Sequence, residues 1–223
     1  MPVYYHETID PVREPNKQFE YLDQMEKLIG SHTNVTGSPM RNVANWVTVW
    51  ATGQWPEVVG LWEMADWKWF ADHFNANRLY REIPQEFYEY RTGGFDRVLI
   101  PATYCPTLDE IVEQGLRAPV VMQEIVHIAP GKSDDYVGAL GDAGRSINDR
   151  GRGVRLFGSY LVALRNRTEF LNLWAFDDFD FYESTEQEPA ADPELRMWRE
   201  RASSFEVDHL AKLLCPTEWS LLR

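Results

Sequence analysis

RTGGFDRVLIPATYCPT, Arg91 to Thr107, is echoed by RASSFEVDHLAKLLCPT, Arg201 to Thr217, at an offset of 110 (201 minus 91). In that alignment Cys105 falls on Cys215, Phe95 on Phe205 and Asp96 on Glu206. Upstream, LWEMADWKWF (Leu61 to Phe70) matches LWAFDDFDFY (Leu173 to Tyr182) at an offset of 112. WVTVWATGQWPEVVG (Trp46 to Gly60) lies over GSYLVALRNRTEFLN (Gly158 to Asn172) at the same offset of 112. Three matches in one order point to an internal duplication. A period near 110 residues is too long for a solenoid and has the size of a small domain. The chain therefore divides into residues 1–107, a linker 108–119, and residues 120–223.

Each half follows the same order of elements. VVMQEIVHIA, bounded by Pro119 and Pro130, has the β-branched character of a strand. PGKSDD then opens a helix, with Ser133 expected as N-cap and two acids in the first turn. Tyr136, Val137, Leu140 and Ile147 recur at helical spacing. RLFGSYLVALRN and TEFLNLWAF form a hairpin; DDFDFYES and PELRMWRERASSF read as helices. In the first half, PVYYHETID, a helix marked by Phe19, Leu22, Met25 and Ile29, the hairpin NWVTVWAT/EVVGLWEM, and helical ADWKWFADHF and IPQEFYEY repeat the pattern. A further strand is expected near Asp96 to Tyr104. This β-α-β-β-α-β order is ferredoxin-like, an α+β unit with helices on one face of an antiparallel sheet. Two tandem repeats can bury their bare faces together as an α+β barrel, so a monomer suffices, although a homodimer stays open.

Net charge is −13 with a sequence pI near 4.8, which disfavours nucleic acid and anionic membrane surfaces as partners. No apolar run reaches membrane-span length and MPVYYHETIDP lacks the form of a secretory signal, so a cytoplasmic location is expected. Two cysteines make no disulfide framework. The five histidines are scattered, with no HxH or HExxH, and GxGxxG, P-loop and GxSxG motifs are absent, so no metal and no nucleotide cofactor are expected.

IVHIAPGKSDDYVGAL, FLNLWAF and the terminal CPTEWSLL resemble the NIPSNAP family of dimeric α+β-barrel proteins, across most of the second half. The first half departs from it, having Asp10-Pro11-Val12 where the second has PGK. The resemblance implies a central cavity. The wider superfamily includes cofactor-free monooxygenases, cyclases, isomerases, dehalogenases and haem-binding enzymes, so it fixes no reaction. Were haem bound, His127 would be the axial candidate.

Six of nine tryptophans lie between Trp46 and Trp69. Strand alternation puts Trp46, Thr48 and Trp50 on one face, taken as the barrel interior, with Gly158, Tyr160 and Val162 as counterparts. Bulky indoles in one half against small groups in the other would shape one apolar pocket. Alternation also groups Tyr4, His6 and Thr8, and Gln123, Ile125 and His127, on the interior. His127 and His6 are the candidate acid/base groups, because imidazole titrates near neutrality. Tyr160 and Tyr4 would donate hydrogen bonds. Trp46, Trp50, Trp62 and Gln123 would contact substrate, and Arg155 could hold a carboxylate or enolate. The expected activity is cofactor-independent proton transfer on a small apolar, aromatic or terpenoid-like molecule, of isomerase, lyase/hydratase or cyclase type. A cofactor-free monooxygenase and a non-catalytic binder of a hydrophobic ligand, haem or a protein partner are the alternatives.

Overall fold

The computed structural model describes residues 1–29, 38–75, 85–151, 153–188, 190 and 192–223. The first repeat runs β1 (Val3–Pro11), α1 (Lys17–Leu28), β2 (Met40–Thr48), β3 (Val58–Met64), α2 (Trp67–Asn75), a short 3₁₀ turn (Gln85–Glu89) and β4 (Arg91–Pro101). After α3 (Leu108–Gln114) the second repeat runs β5 (Val120–Ile128), α4 (Ser133–Asn148), β6 (Val154–Val162), β7 (Glu169–Phe176), α5 (Phe179–Gln187), α6 (Pro193–Ala202) and β8 (Glu206–Pro216). The eight strands close an antiparallel barrel in the order β1-β3-β2-β8-β5-β7-β6-β4. The two-repeat α+β barrel is thus the observed fold. Lys132 caps α4, and Ser133 is its first residue.

Register gives the true repeat. His6 pairs with Leu61 and Gln123 with Leu173, so the LW match at 112 holds. The hairpins are shifted. Trp46 lies opposite Val59 and Tyr160 opposite Leu171, so Trp46 corresponds to Tyr160, an offset of 114 (160 minus 46). The expected counterpart Gly158 is wrong because the first hairpin tip is two residues longer. β4 ends at Pro101 against Tyr160 and β8 ends at Pro216 against Trp46, an offset of 115 (216 minus 101). Cys105 therefore does not correspond to Cys215, which lies within β8. Asp96 faces Glu7 and Ala211 faces Glu124, so the partner of Asp96 is Ala211, not Glu206. The shared Cys-Pro-Thr misled because the first halves of β4 and β8 are largely exposed and carry little apolar pattern.

The two repeats meet along short seams. β4 pairs with β6 through Leu99–Pro101, and β8 with β2 through Leu214–Pro216. Three cores result. One fills the barrel, with Tyr4, Trp46, Leu61, Leu99, Tyr160, Leu173 and Leu214 among its buried members. An eight-stranded barrel is just wide enough for side chains to fill it. The other two lie between the sheet and the helices of each repeat.

The barrel ends differ. At the end where β1 and β5 begin, Thr107 caps α3 through a reciprocal capping box with Glu110, and Leu108 and Ile111 pack into the barrel core. Residues 108–119 are thus a lid as well as a linker. The C-terminus completes the closure: Thr217 N–H donates to Asn45 O (2.9 Å), Leu222 N–H to Val43 O (3.1 Å), and Leu222 is buried. At the other end, where β1 and β5 finish, stand the tips of the β2–β3 and β6–β7 hairpins. No described helix is long and apolar enough to cross a membrane.

Candidate functional site

β1 and β5 stand four strands apart in an eight-stranded ring, on opposite walls. His6 and Gln123 occupy equivalent positions on them, and their side chains meet across the bore: His6 Nε2 lies 2.9 Å from Gln123 Oε1. Because the partner is an amide oxygen, Nε2 carries the proton and donates, leaving Nδ1 as a bare lone pair. Nδ1 has no partner among the described residues, and His6 is 0% exposed. Burial, reinforced by nearby Lys212 and Arg97, pushes the His6 pKa down to about 3 against the pull of the Gln123 bond. The imidazole is neutral at physiological pH.

The bar formed by His6 and Gln123 divides the bore. Below it lie Tyr4, Trp46 and Tyr160. Tyr4 donates to Glu63 Oε2 at 2.8 Å, and its ring sits 5.2 Å from that of Tyr160. Burial raises the pKa of both phenols, so both stay protonated. The Trp46 Nε1 and Tyr160 hydroxyl are buried with no partner among the described residues.

Above the bar the lining is ionic and repeats the pseudo-twofold symmetry. Arg97 lies beside His6 and Lys212 beside Gln123 in the strand register. Arg97 Nε donates to Glu169 Oε1 at 2.9 Å, and Lys212 is bonded to Glu57. Each pair joins one repeat to the other. Thr48 also donates to Glu57 (2.6 Å). Lys212 has its pKa lowered, chiefly by burial, with Arg97 adding to that and Glu57 opposing it. At the rim stand Phe95, under the guanidinium of Arg97 (4.5 Å to the ring centre), and exposed Leu210.

Strand alternation thus placed Tyr4, His6, Gln123, Trp46 and Tyr160 on the inner face, as expected. It failed elsewhere. Trp50 is 77% exposed, because the strand ends at Thr48 and the chain turns at Ala51 with φ 68°. Trp62 faces the helices, donating to Glu7 Oε1 at 2.8 Å; its neighbour Leu61 holds the interior position. His127 does not join His6. Its side chain is 43% exposed at the rim, 3.6 Å from Glu169 and 3.7 Å from Asp208. Arg155 lies at the closed end, in a cleft of about 430 Å³. Tyr4, Trp46 and Tyr160 are members of one buried cluster in the barrel. Arg97, Lys212, Glu57 and Glu169 were not foreseen; the correct β4/β8 alignment would have paired Arg97 with Lys212.

Among the described residues no group of three or more His, Cys, Asp or Glu suits a metal ion. His32 and the side chain of His73 lie outside what is described. Among the described residues, the axial candidate His127 stands at the rim beside Glu169 and Asp208, and the cleft at the closed end is lined by no histidine.

No family model matches this chain, and no curated protein matches it. The chain is similar in structure to a protein from Lactobacillus acidophilus named as a candidate monooxygenase, at 13% identity and TM-score 0.69, covering 96% of this chain and 93% of that one. It is also similar to an anthrone oxidase-like protein, at 11% identity and TM-score 0.68, covering 97% and 92%. A candidate chlorite dismutase aligns at 12% identity and TM-score 0.62, covering 98% and 96%. At such identities the likeness establishes the barrel fold alone. Two NIPSNAP structures, from Burkholderia xenovorans and Agrobacterium tumefaciens, align over 45% and 48% of the chain at 21% identity, with TM-scores of 0.37 and 0.39.

Proposed function

We propose that this chain is a cofactor-independent enzyme that abstracts a proton from a small aromatic or otherwise apolar molecule, with His6 as base. The observation that supports it is the buried neutral imidazole: one nitrogen fixed by Gln123, the other unpartnered, and two cations alongside. A base held near pKa 3 takes no proton from solvent at neutral pH. It takes one from substrate only where the resulting anion remains beside the imidazolium. Arg97 and Lys212 stabilise that anion, and the dry surroundings strengthen each charge interaction. Phe95 and Leu210 at the open end give an apolar body a place to dock. Tyr4 and Tyr160 remain donors rather than acids. Since one chain closes its own barrel, a monomer is sufficient for this site.

Dioxygen as second substrate is favoured by the names of two similar structures, a candidate monooxygenase and an anthrone oxidase-like protein. Anthrone has the required acidity, since loss of a ring C–H proton gives a delocalised oxyanion. The balanced change is C14H10O + O2 → C14H8O2 + H2O. The test is oxygen uptake with anthrone, alongside proton exchange into the same compound under anaerobic conditions. Wild type should catalyse exchange, and His6→Ala should lose about 10²–10⁴-fold in turnover with binding retained. Binding without turnover in wild type would assign the chain to the non-catalytic alternative. Unchanged turnover in His6→Ala would remove His6 as base.

A further inference from the structure

Arg41 and Arg155 are equivalent residues at the closed end of the barrel, an offset of 114 (155 minus 41) that matches Trp46 and Tyr160. Arg41 lies opposite Glu63 and Arg155 opposite Ala175 in the strand register. Arg41 is neutralised twice: it lies 2.5 Å from Glu63 Oε1 and 2.5 Å from Asp109 Oδ1. Arg155 has lost the first acid to Ala175. The second, Asp109 of α3, has no counterpart among the described residues that follow β8. Among the described residues Arg155 forms no ion pair.

The missing carboxylates coincide with a space. The cleft of about 430 Å³ is lined by Arg155, Phe157, Leu116, Tyr104, Gln114 and Glu110, among others. Most of its other polar groups are committed. The Cys105 thiol exchanges hydrogen bonds with the Ser159 backbone (3.1 and 3.2 Å), and burial pushes it up to about 12, so it is no nucleophile. Asn148 is bonded twice to the Leu156 backbone (2.8 and 3.0 Å). Glu110 Oε2 is held by Thr107. The remaining polar groups of the lining, Thr103, Gln114 and Arg155, share the cleft with Leu116 and Phe157.

We propose that this cleft is a second binding site, separate from the open end, for a small aromatic carboxylate whose carboxylate takes the place that Glu63 fills beside Arg41. A planar guanidinium fork matches a carboxylate bidentately, and rings of this size fit the volume. Glu110 lies in the same cleft and disfavours dianions, so a monocarboxylate is the preferred class.

The test uses 2-naphthoate as probe, with 2-naphthalenemethanol as the uncharged control, by calorimetric titration of the full chain. Wild type should bind the acid at least tenfold more tightly than the alcohol. Arg155→Gln should abolish that preference. Ala175→Glu, which rebuilds the first repeat's pair, should fill Arg155 from within and abolish it as well. His6→Ala should leave it intact, which separates this site from the proposed chemistry. The proposal is overturned if wild type shows no preference for the acid, or if Arg155→Gln binds it as wild type does. Should Ala175→Glu fail to fold, Arg155→Gln decides alone.

Discussion

Glu57 and Glu169 occupy the same place in the two repeats, yet one holds a lysine and the other an arginine. Both carboxylates are buried, and each pairs with the opposite repeat. Their surroundings differ in what can relax. Lys212 already has a depressed pKa and can shed its proton when its partner is lost. Arg97 cannot deprotonate. The mouth thus carries one fixed cation and one adjustable cation on either side of His6. Duplication supplied two copies of a site, and divergence has made the halves unequal.

The largest expected effect comes from breaking these pairs. Glu169→Gln should cost about 3–5 kcal/mol in chemical denaturation, because it strands the Arg97 charge in a buried position. Glu57→Gln should cost about 1–3 kcal/mol, since Lys212 neutralises itself. Equal losses would mean that Lys212 stays charged and that the asymmetry of the mouth is only apparent.

A second comparison lies under the helices. Glu7 and Trp62 correspond to Glu124 and Trp174, and each indole donates to its carboxylate at 2.8 Å. Glu124 also accepts from Asn172 (3.1 Å) and lies 3.3 Å from His209. Gly60 replaces Asn172 in the first repeat, and a Cβ there would lie 2.9 Å from the Glu7 carboxylate. Glu7 therefore lacks that donor. Burial, outweighing the Trp62 bond, raises its pKa from the ordinary 4.5 to about 7. A carboxyl raised in the folded state binds its proton there while the unfolded chain has released its own. Stability from Glu7 is full below about pH 4.5 and is lost as pH rises to about 7. That shift corresponds to about 3 kcal/mol. Glu7→Gln should flatten this part of the stability–pH profile and raise stability at pH 8. A slope that survives the substitution would assign it to another group. His209 titrates in the same sense: its pKa is raised by the Glu124 bond, so its contribution fades as pH rises through 6.5 and above.

Trp62→Phe and Trp174→Phe sharpen the same contrast at smaller scale. Loss of the indole N–H leaves Glu7 without the donor that opposes its burial, whereas Glu124 keeps Asn172. Trp62→Phe should therefore cost about 2 kcal/mol at pH 8 and Trp174→Phe about 1 kcal/mol. The difference should shrink at pH 5, where Glu7 is protonated in the native state.

Much of this was legible in the sequence where a strand is two-faced. Tyr4-Tyr5-His6-Glu7 alternates inner and outer positions without interruption; the LW pairs were not read that way, since Trp62, expected against substrate, packs under the helices while Leu61 joins the barrel core. What escaped has physical causes. Matching bulges, between Asn42 and Ala44 and between Leu156 and Gly158, shift register within β2 and β6. Single-residue shifts of that kind defeat parity. The ionic lining escaped because Arg97 and Glu169 lie 72 residues apart, and Lys212 and Glu57 155 apart, on different repeats. No local spacing encodes such pairs; they exist only once the two sheets close.

The hairpin tips give the smallest predicted effect. Trp50 and Leu164 are equivalent by the offset of 114, and they are 77% and 97% exposed. The backbone turns left-handed beside or at them, with φ 68° at Ala51 and 65° at Leu164. Conformation here is set by the turn and not by apolar packing, so an indole and an isobutyl group are interchangeable. Trp50→Ser should change stability by less than about 0.5 kcal/mol, the range of surface substitutions away from caps and cores. Thermal melts at two protein concentrations decide it. A concentration-dependent loss in Trp50→Ser would mean that the tip packs against a second molecule, and the longer first hairpin would then be the half that diverged toward association.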